Sequence, residues 1–258
     1  MRVLMVGDVV GRPGREAVTQ LLPQLRSSLR IDRVVLNGEN AAAGRGLTEK
    51  TARELFSAGV DVITSGNHIF DVREFVPLLN NDWAILRPAN YPPTTPGRGM
   101  VCLGAFAVIN LMGRTFMPVP VDDPFRAADA LLDELGEAAI VVVDFHAEAT
   151  SEKQAMAWYL DGRVAAVVGT HTHVPTADAR VLPGGTATVT DLGMVGVRHS
   201  IIGDDVSAVL DRFLTGMPTR LPVAEGNGVT FNSVLIDVDD ATGRANSIER
   251  VDRECLVR

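Results

Sequence analysis

The sequence predicts an α/β protein in which a mostly parallel sheet carries polar side chains along one edge. Three observations support this fold class. Short apolar runs alternate with amphipathic segments over residues 1–68, and this βαβαβ order is typical of parallel sheets. The apolar runs at 140–145 and 164–168 continue the pattern in the second half of the chain. Each of these runs ends close to side chains that can bind a metal ion or transfer a proton.

The first half of the chain predicts three strands and two helices. The first helix has apolar residues at helical spacing, and Pro23 is expected to kink it. Thr48 precedes the second amphipathic segment and is its expected N-cap. The predicted strands cover 2–6, 34–36 and 60–64, and the predicted helices cover 14–29 and 48–58.

The second half predicts a mixture of strands and shorter helices. Two strands pair about Gly104, at 100–103 and 105–111, and Gly/Thr-rich β segments occupy 183–198. We find no internal repeat and no boundary, so a single domain covering residues 1–258 is predicted. The remaining predicted elements are helices at 123–135, 152–160 and 205–214, and strands at 140–145, 164–168, 229–238 and 246–253.

Composition excludes several classes of protein. The 258 residues are 46% hydrophobic and 22% charged, a balance that fills a globular core. The net charge of −8 gives no general attraction for a nucleic-acid backbone, so no extended nucleic-acid surface is expected. No apolar run approaches the ~20 residues that span a bilayer, and no export signal is visible. We therefore expect a soluble, cytoplasmic protein without a membrane partner, whose Cys102 and Cys255 are free thiols rather than ligands.

Metal-capable side chains follow strand after strand. Of the five histidines, four lie at predicted strand ends, and only His199 lies elsewhere. Because the carboxyl ends of parallel strands share one edge of a sheet, residues far apart in sequence meet there. Carboxylate, carboxamide and imidazole groups without thiolates favour Mn, Fe or Zn over a Cys-rich structural zinc site. The candidates are Asp8, Glu39, Asn40, Asn67, His68, His146, His171 and His173.

Each candidate also has an ordinary structural interpretation. Asp8 is compatible with an N-cap, and residues 67–68 are compatible with the cap of a helix at 69–79. Residues 39–40 fit a turn, and His146 fits a hydrogen-bonded core histidine. The conjunction of the positions, rather than any one of them, therefore supports the prediction of a metal site.

The ligand types also suggest how a dinuclear site would work. Glu39 is suited to bridge two ions, and the two histidines at 171 and 173 can direct two imidazoles at one or two metals. Two ions about 3.5–4 Å apart would hold a phosphoryl group and activate a water molecule.

Five short motifs resemble, in order and spacing, those of calcineurin-like metallophosphoesterases. They are GD at 7–8, GEN at 38–40, GNH at 66–68, His146 and GTHTH at 169–173. More narrowly, the longer segments resemble the YmdB-type branch over nearly the whole chain: VGDVVG at 6–11, NGENAA at 37–42, TSGNH at 64–68, DFHAE at 144–148 and GTHTHVPT at 169–176.

Two departures from the wider family distinguish this chain. Val10 stands where the usual first motif, Asp-x-His, has its histidine, and GENAA at 38–42 replaces the usual Gly-Asp-x-x-Asp. Asn40 is the natural substitute for the lost imidazole, as the YmdB-type branch implies. These departures argue against a generic protein phosphatase.

The resemblance implies a fold, a ligand set and a proton donor. The fold is a four-layer α/β/β/α sandwich, and the cofactors are two divalent metal ions, Fe or Mn first and Zn as the alternative. His68 would not be a ligand but would protonate the leaving oxygen. Glu39 would bridge the two ions. One ion would take Asp8, Glu39, Asn40 and His173, and the other would take Glu39, Asn67, His146 and His171.

The implied reaction is metal-dependent hydrolysis of small phosphodiesters such as 2′,3′-cyclic nucleotides, with a regulatory role in the cell. Two alternatives stay open: a phosphomonoesterase or protein phosphatase on the same site, and a nucleotide-sensing regulatory protein without turnover. A metallo-β-lactamase-like hydrolase is disfavoured because His173 is not followed by Asp-His. We interpret Arg45, Arg198 and His199 as solvated loop residues rather than substrate contacts. A homo-oligomer is expected because many such enzymes associate.

Overall fold

The computed structural model describes residues 1–135 and 140–257. The strands are β1 Arg2–Val6, β2 Asp8–Val9, β3 Arg33–Asn37, β4 Val62–Thr64, β5 Met100–Leu103, β6 Phe106–Met112, β7 Ile140–His146, β8 Ala166–Thr170, β9 Arg180–Val181, β10 Ala187–Val189, β11 Met194–Val197, β12 Gly228–Phe231, β13 Ser233–Val238, β14 Ala245–Arg250 and β15 Arg253–Leu256. The helices are α1 Gly11–Ser28, α2 Glu49–Ser57, α3 Pro124–Leu135, α4 Thr150–Tyr159 and α5 Val206–Thr215, with a 3-10 helix at Arg73–Asn80.

The described strands form two large sheets and one small sheet. The first large sheet has the order β14-β13-β1-β3-β4, and the second has the order β5-β6-β7-β8-β10-β9. In the first, β1, β3 and β4 are parallel; in the second, β6, β7, β8 and β10 are parallel. The small sheet has the order β15-β12-β11-β2. The predicted parallel arrangement is thus confirmed; antiparallel pairing occurs on the β13–β14 side of the first sheet and at both edges of the second.

Side-chain alternation along β1 shows how the first sheet is covered on both faces. Val3 and Met5 lie in the core between the two large sheets. Leu4 and Val6 point the other way, into a core shared with α1 and α2. Because successive residues of a strand face opposite sides, a strand that is apolar throughout must be covered twice.

The second sheet is covered in the same way. Val142 of β7 faces the first sheet, whereas Val143 packs in a separate core with Met156 of α4 and Ala128 of α3. The layers therefore run helix, sheet, sheet, helix. This arrangement confirms the predicted four-layer α/β/β/α sandwich.

Two chain crossings place the small sheet beside the first large one. At Gly7 the chain passes from β1 into β2, and at Asn232 it passes from β12 into β13. The two crossings are joined by a hydrogen bond from the Gly7 amide to the Asn232 carbonyl, at 3.1 Å. A Cβ atom at position 7 would lie 1.8 Å from the Gly193 carbonyl oxygen, so only glycine fits. The crossing delivers Asp8 to the end of the large sheet.

Three predictions of local structure need correction. The two strands predicted at 229–238 and 246–253 are four, because the crossing at Asn232 divides the first and a turn after Arg250 divides the second. No helix begins at 69; the 3-10 helix starts at Arg73, and neither Asn67 nor His68 caps it. Thr48 does cap α2, through a reciprocal capping box with Thr51.

No helix within 1–135 or 140–257 is long and apolar enough to cross a membrane.

Candidate metal centre

The strand ends of both large sheets converge on one point. Asp8, Glu39 and His146 are each at most 1% exposed, although all three are polar. Burial of polar groups is unfavourable unless partners satisfy them, so the convergence requires an explanation. The predicted candidates lie as follows: Asp8 opens β2, Glu39 and Asn40 follow β3, Asn67 and His68 follow β4, His146 ends β7, and His171 and His173 follow β8.

Glu39, His146 and His171 each place one ligand atom within 4.8 Å of the others. The Nε2 atom of His146 lies 3.0 Å from Glu39 Oε1, 3.1 Å from His171 Nδ1 and 3.2 Å from Asn67 Oδ1. A ring nitrogen carries at most one proton and so satisfies only one of these three acceptors. A cation among the four atoms would satisfy all of them, so the donor set fits a metal ion.

Two buried oxygens near this cluster have no hydrogen-bond partner. They are Asp8 Oδ1 and Asn40 Oδ1, and they belong to six such buried side-chain atoms in the described part of the chain. Asn40 donates its Nδ2 group to the Gly44 carbonyl at 2.9 Å, which fixes the orientation of the amide. Asp8 Oδ1 lies 3.9 Å from His173 Nε2. Buried oxygen atoms without a hydrogen-bond donor are unusual, and a second cation bound to them would satisfy both.

Hydrogen bonds fix the tautomers of two histidines. Thr170 Oγ1 donates to Asp144 Oδ1 at 2.7 Å and lies 2.9 Å from His146 Nδ1, which must therefore carry the proton. His173 Nδ1 lies 2.6 Å from the Ile202 carbonyl oxygen and must donate to it. In both neutral rings, Nε2 then presents its lone pair to the cluster, as metal-binding histidines do.

Electrostatics in the metal-free protein follow from burial and from the proximity of these groups. Burial alone would lower the pKa of His146, but the carboxylate of Glu39, with Asp8 and Asp144, raises it to about 9. Burial disfavours the charged form of Glu39, but the charge and hydrogen bond of His146 lower its pKa to about 2. Burial and the charge of His146 lower the pKa of His171 to about 3. Burial raises the pKa of Asp8 to about 7. A proton on His146 thus takes the position that a cation would fill.

A model of the YmdB-like protein family matches residues 4–251. The chain belongs to the YmdB-like family.

Relatives of this YmdB-like chain align with it over almost its whole length. It is 50% identical over 256 residues, 97% of its length and 96% of the relative's, to the 2′,3′-cyclic-nucleotide 2′-phosphodiesterase of Bacillus subtilis strain 168. A Thermus thermophilus protein of known structure is 48% identical with a TM-score of 0.93, covering 99% of this chain and 100% of that one. A Mycoplasma pneumoniae phosphatase is 32% identical with a TM-score of 0.93, covering 100% and 94%. The metallophosphoesterase fold is thereby confirmed.

A buried network of hydrogen bonds lies behind the histidines of this YmdB-like chain, and it was not predicted from the sequence. Asp144 is 1% exposed and accepts hydrogen bonds from Asn37 Nδ2 at 3.0 Å, from Thr170 Oγ1 and from Thr64 Oγ1. Burial raises the pKa of Asp144, while the charge of His146 and these donors oppose the rise. In the sequence, this network is indicated by a single acidic residue inside the apolar run of β7, IVVVDF at 140–145.

A second buried network, also missed, fixes the loop that carries His171 and His173. Asp191, 1% exposed, accepts from Lys153 Nζ at 2.7 Å and from the backbone amide of Thr172 at 3.1 Å. His171 and His173 have φ angles of 101° and 65°, which are unfavourable for residues with a Cβ atom. Because the ion pair holds the residue between them, it maintains this strained loop.

Gly66 lets β4 approach the site closely. A Cβ atom at this position would lie 2.1 Å from Cδ2 and 2.2 Å from Nε2 of His146. The GNH motif therefore needs its glycine for space, because any side chain would displace the imidazole.

His68 lies at the border between the buried cluster and solvent. Its backbone amide donates to Glu39 Oε2 at 3.0 Å, and its Nδ1 lies 2.8 Å from Asp71 Oδ2. The side chain is 25% exposed and lines a cleft of about 1100 Å³ above the cluster. The interaction with Asp71 engages Nδ1, so Nε2 is the ring nitrogen that is available for proton transfer.

The position of the cleft can be compared with the three loop residues that were predicted to be solvated. Arg198 pairs with Glu254 at 2.6 Å, and His199 is exposed outside the cleft, as predicted. Arg45 is exposed, as predicted, and it also lines the cleft. It follows a turn at Asn40–Gly44 that brings its side chain toward the site.

Proposed function

We propose that this chain is a dinuclear metal-dependent phosphodiesterase that hydrolyses 2′,3′-cyclic nucleotides. The observation that carries the proposal is the convergence of Glu39, His146 and His171 at the base of an open cleft. Half of the residues are shared with a Bacillus subtilis 2′,3′-cyclic-nucleotide 2′-phosphodiesterase over 97% of the chain. The ligand chemistry and the relative therefore support the same reaction.

In the proposed ligand set, the two unpartnered oxygens are used together with the histidine cluster. Glu39 would belong to both sets of ligands; its Oε1 lies 3.0 Å from His146 Nε2, and its Oε2 accepts a hydrogen bond from the His68 amide. Fe or Mn is proposed first and Zn second, since the donors are oxygens and imidazole nitrogens. One ion would be held by Asp8, Glu39, Asn40 and His173, and the other by Glu39, Asn67, His146 and His171.

The bound metals would neutralise the phosphoryl oxygens and lower the pKa of a water molecule. The protein then has to position the substrate and supply a proton. His68, held by Asp71 through Nδ1, donates from Nε2 to the ribose oxygen that leaves phosphorus. The network of Asp144 and Thr170 keeps the ring of His146 in the orientation and tautomer that ligation requires.

The test is hydrolysis of 2′,3′-cyclic AMP by the purified protein loaded with Mn²⁺ or Fe²⁺, with Asp8→Ala as the control. We expect release of a nucleoside monophosphate by the wild type and none by the control. Two bound metals with no turnover would contradict the proposal. Parallel assays with a chromogenic phosphate monoester and diester separate the diesterase from the monoesterase alternative. The single domain, the cytoplasmic location and the homo-oligomer stay predictions.

A further inference from the structure

The cleft is larger than a cyclic mononucleotide needs. Its volume is about 1100 Å³, whereas a mononucleotide fills roughly 300 Å³, the lower limit of small-molecule pockets. The proposed metal ligands Glu39, His171 and His173, together with His68, form part of the lining of the cleft. The remaining volume is bounded by the turn that carries Arg45 and by the segment from Thr219 to Gly226. A substrate that fills the cleft therefore extends beyond the reacting phosphate.

The outer part of the cleft contains three arginines. The net charge of the chain is −8, yet Arg12, Arg45 and Arg220 all line this cleft. Arg12 lies 3.6 Å from Glu16, which partly neutralises it. Within residues 1–135 and 140–257, the side chains of Arg45 and Arg220 form no hydrogen bond or ion pair with another residue. Two guanidinium groups are thus available to an anion in the cleft.

The cleft is not uniformly cationic. Asp204 and Glu225 also line it. Burial raises the pKa of Asp204, and the charges of His173 and Arg45 oppose the rise. A simple anion such as pyrophosphate would meet these carboxylates unfavourably. A ligand that carries hydroxyl groups beside its phosphate, as a ribonucleotide does, satisfies both kinds of side chain, because carboxylates accept from hydroxyls and guanidinium groups bind phosphate.

We propose that Arg45 and Arg220 bind a second phosphate, on the 5′ side of the reacting nucleotide, so that the preferred substrates are oligoribonucleotides ending in a 2′,3′-cyclic phosphate. This inference rests on the proposed function, because it places the cyclic phosphate at the metal centre. Binding of such a substrate requires only that the end of the oligoribonucleotide enters the cleft. It is therefore consistent with the net charge of −8 on this chain.

Three substrates separate the contribution of the second phosphate from that of a second base. They are adenosine 2′,3′-cyclic phosphate, the same compound with a 5′-phosphate, and the dinucleotide ApA ending in a 2′,3′-cyclic phosphate. We expect kcat/KM to rise about tenfold when the 5′-phosphate is added, mainly through a lower KM. The dinucleotide should gain at least as much. Because phosphate contacts are electrostatic, the gain should shrink as salt increases.

Variants assign the gain to the arginines. In Arg45→Ala and Arg220→Ala, the ratio of kcat/KM with and without the 5′-phosphate should fall toward one. Arg198→Ala is the matched control, because Arg198 is an exposed arginine paired with Glu254 outside the cleft. It should keep the wild-type ratio.

The outcomes are distinct for the two proposals. No hydrolysis of any of the three compounds by the metal-loaded protein would contradict the proposed function itself. Hydrolysis of all three at equal kcat/KM would leave that function intact and overturn the second phosphate site. A gain for the dinucleotide alone would also overturn it, because the gain would then come from the second base.

Discussion

The buried base of the cleft and its exposed outer wall differ in how they are held. At the base, Glu39, Asp144 and His146 are at most 1% exposed, and each is fixed by contacts from another strand end. In the outer wall, Arg45 and Arg220 are exposed and form no described side-chain pair. Reaction chemistry requires groups held in fixed geometry, whereas substrate selection tolerates side chains that order on binding. The comparison predicts that substitutions at the base abolish turnover and that substitutions in the wall change substrate preference.

The largest expected effect is that of Glu39→Ala at the base. This change removes the carboxylate proposed to bridge both ions, and it would leave one ion with only the neutral ligands Asn67, His146 and His171. We expect elemental analysis to find fewer than two metals per chain, and activity to fall below detection. Glu249→Ala is the matched control, since Glu249 is an exposed glutamate on the edge strand β14 and does not line the cleft. Two metals retained by Glu39→Ala would remove the bridging assignment.

His68→Ala tests the border between the two regions. Because His68 supplies only its backbone amide to Glu39, the variant should keep both metals. Loss of the proton donor should lower kcat by a factor of ~10²–10⁴. His199→Ala, an exposed histidine outside the cleft, should behave like the wild type. A near-normal kcat in His68→Ala would contradict the proton-donor role.

The same contrast explains how much could be predicted from the sequence. All the candidate ligands lie at strand ends, and strand ends are visible because β1, β3, β7 and β8 are apolar runs with abrupt polar limits. The four-layer sandwich came from the family resemblance, because periodicity alone does not show that two sheets pack face to face. The networks of Asp144 and Asp191 depend on contacts between residues 19–107 positions apart, and no local pattern specifies those.

The outer wall was the least predictable part. Residues 217–226 have no periodic pattern, and their position over the site depends on how α5 ends at Gly216, which has a φ angle of 68°. Arg45 is exposed, as predicted, but its place in the lining of the cleft was not predictable, because a turn rather than a strand carries it there. The crossing at Asn232 was also missed, since a single strand-like run continues through it in the sequence. Periodicity identifies elements, but it does not show where the chain changes sheets.

Thr170→Val tests whether contacts behind the ligands matter as much as the ligands. Valine keeps the shape of the side chain but removes the hydroxyl that accepts from His146 Nδ1 and donates to Asp144. We expect Mn²⁺ affinity, measured by calorimetry, to fall about 10–100-fold. Thr188→Val, at a buried threonine of β10 that is 5% exposed, is the matched control and should bind as the wild type does. Equal affinities for the two variants would show that the tautomer of His146 does not depend on this network.

The smallest expected effect is a pH dependence of the stability that metal adds. The raised pKa of His146, about 9, stabilises the metal-free fold below its unfolded value of 6.5, and this contribution is lost as pH rises to 9. The raised pKa of Asp8, about 7, makes the metal-free fold less stable between 3.8 and 7 as the buried carboxyl ionises. A cation displaces the proton on His146 and pairs with ionised Asp8, so metal binding strengthens as pH rises.

Thermal unfolding with and without saturating Mn²⁺ measures this effect. We expect the gain in Tm to be larger at about pH 8 than at about pH 6, by roughly 3 °C or more. Arg45→Ala, in the outer wall, should leave the difference unchanged because its side chain contacts no proposed ligand. An equal gain at both pH values would mean that metal binding displaces no proton at the base. The electrostatic distinction between the buried base and the exposed wall would then not hold.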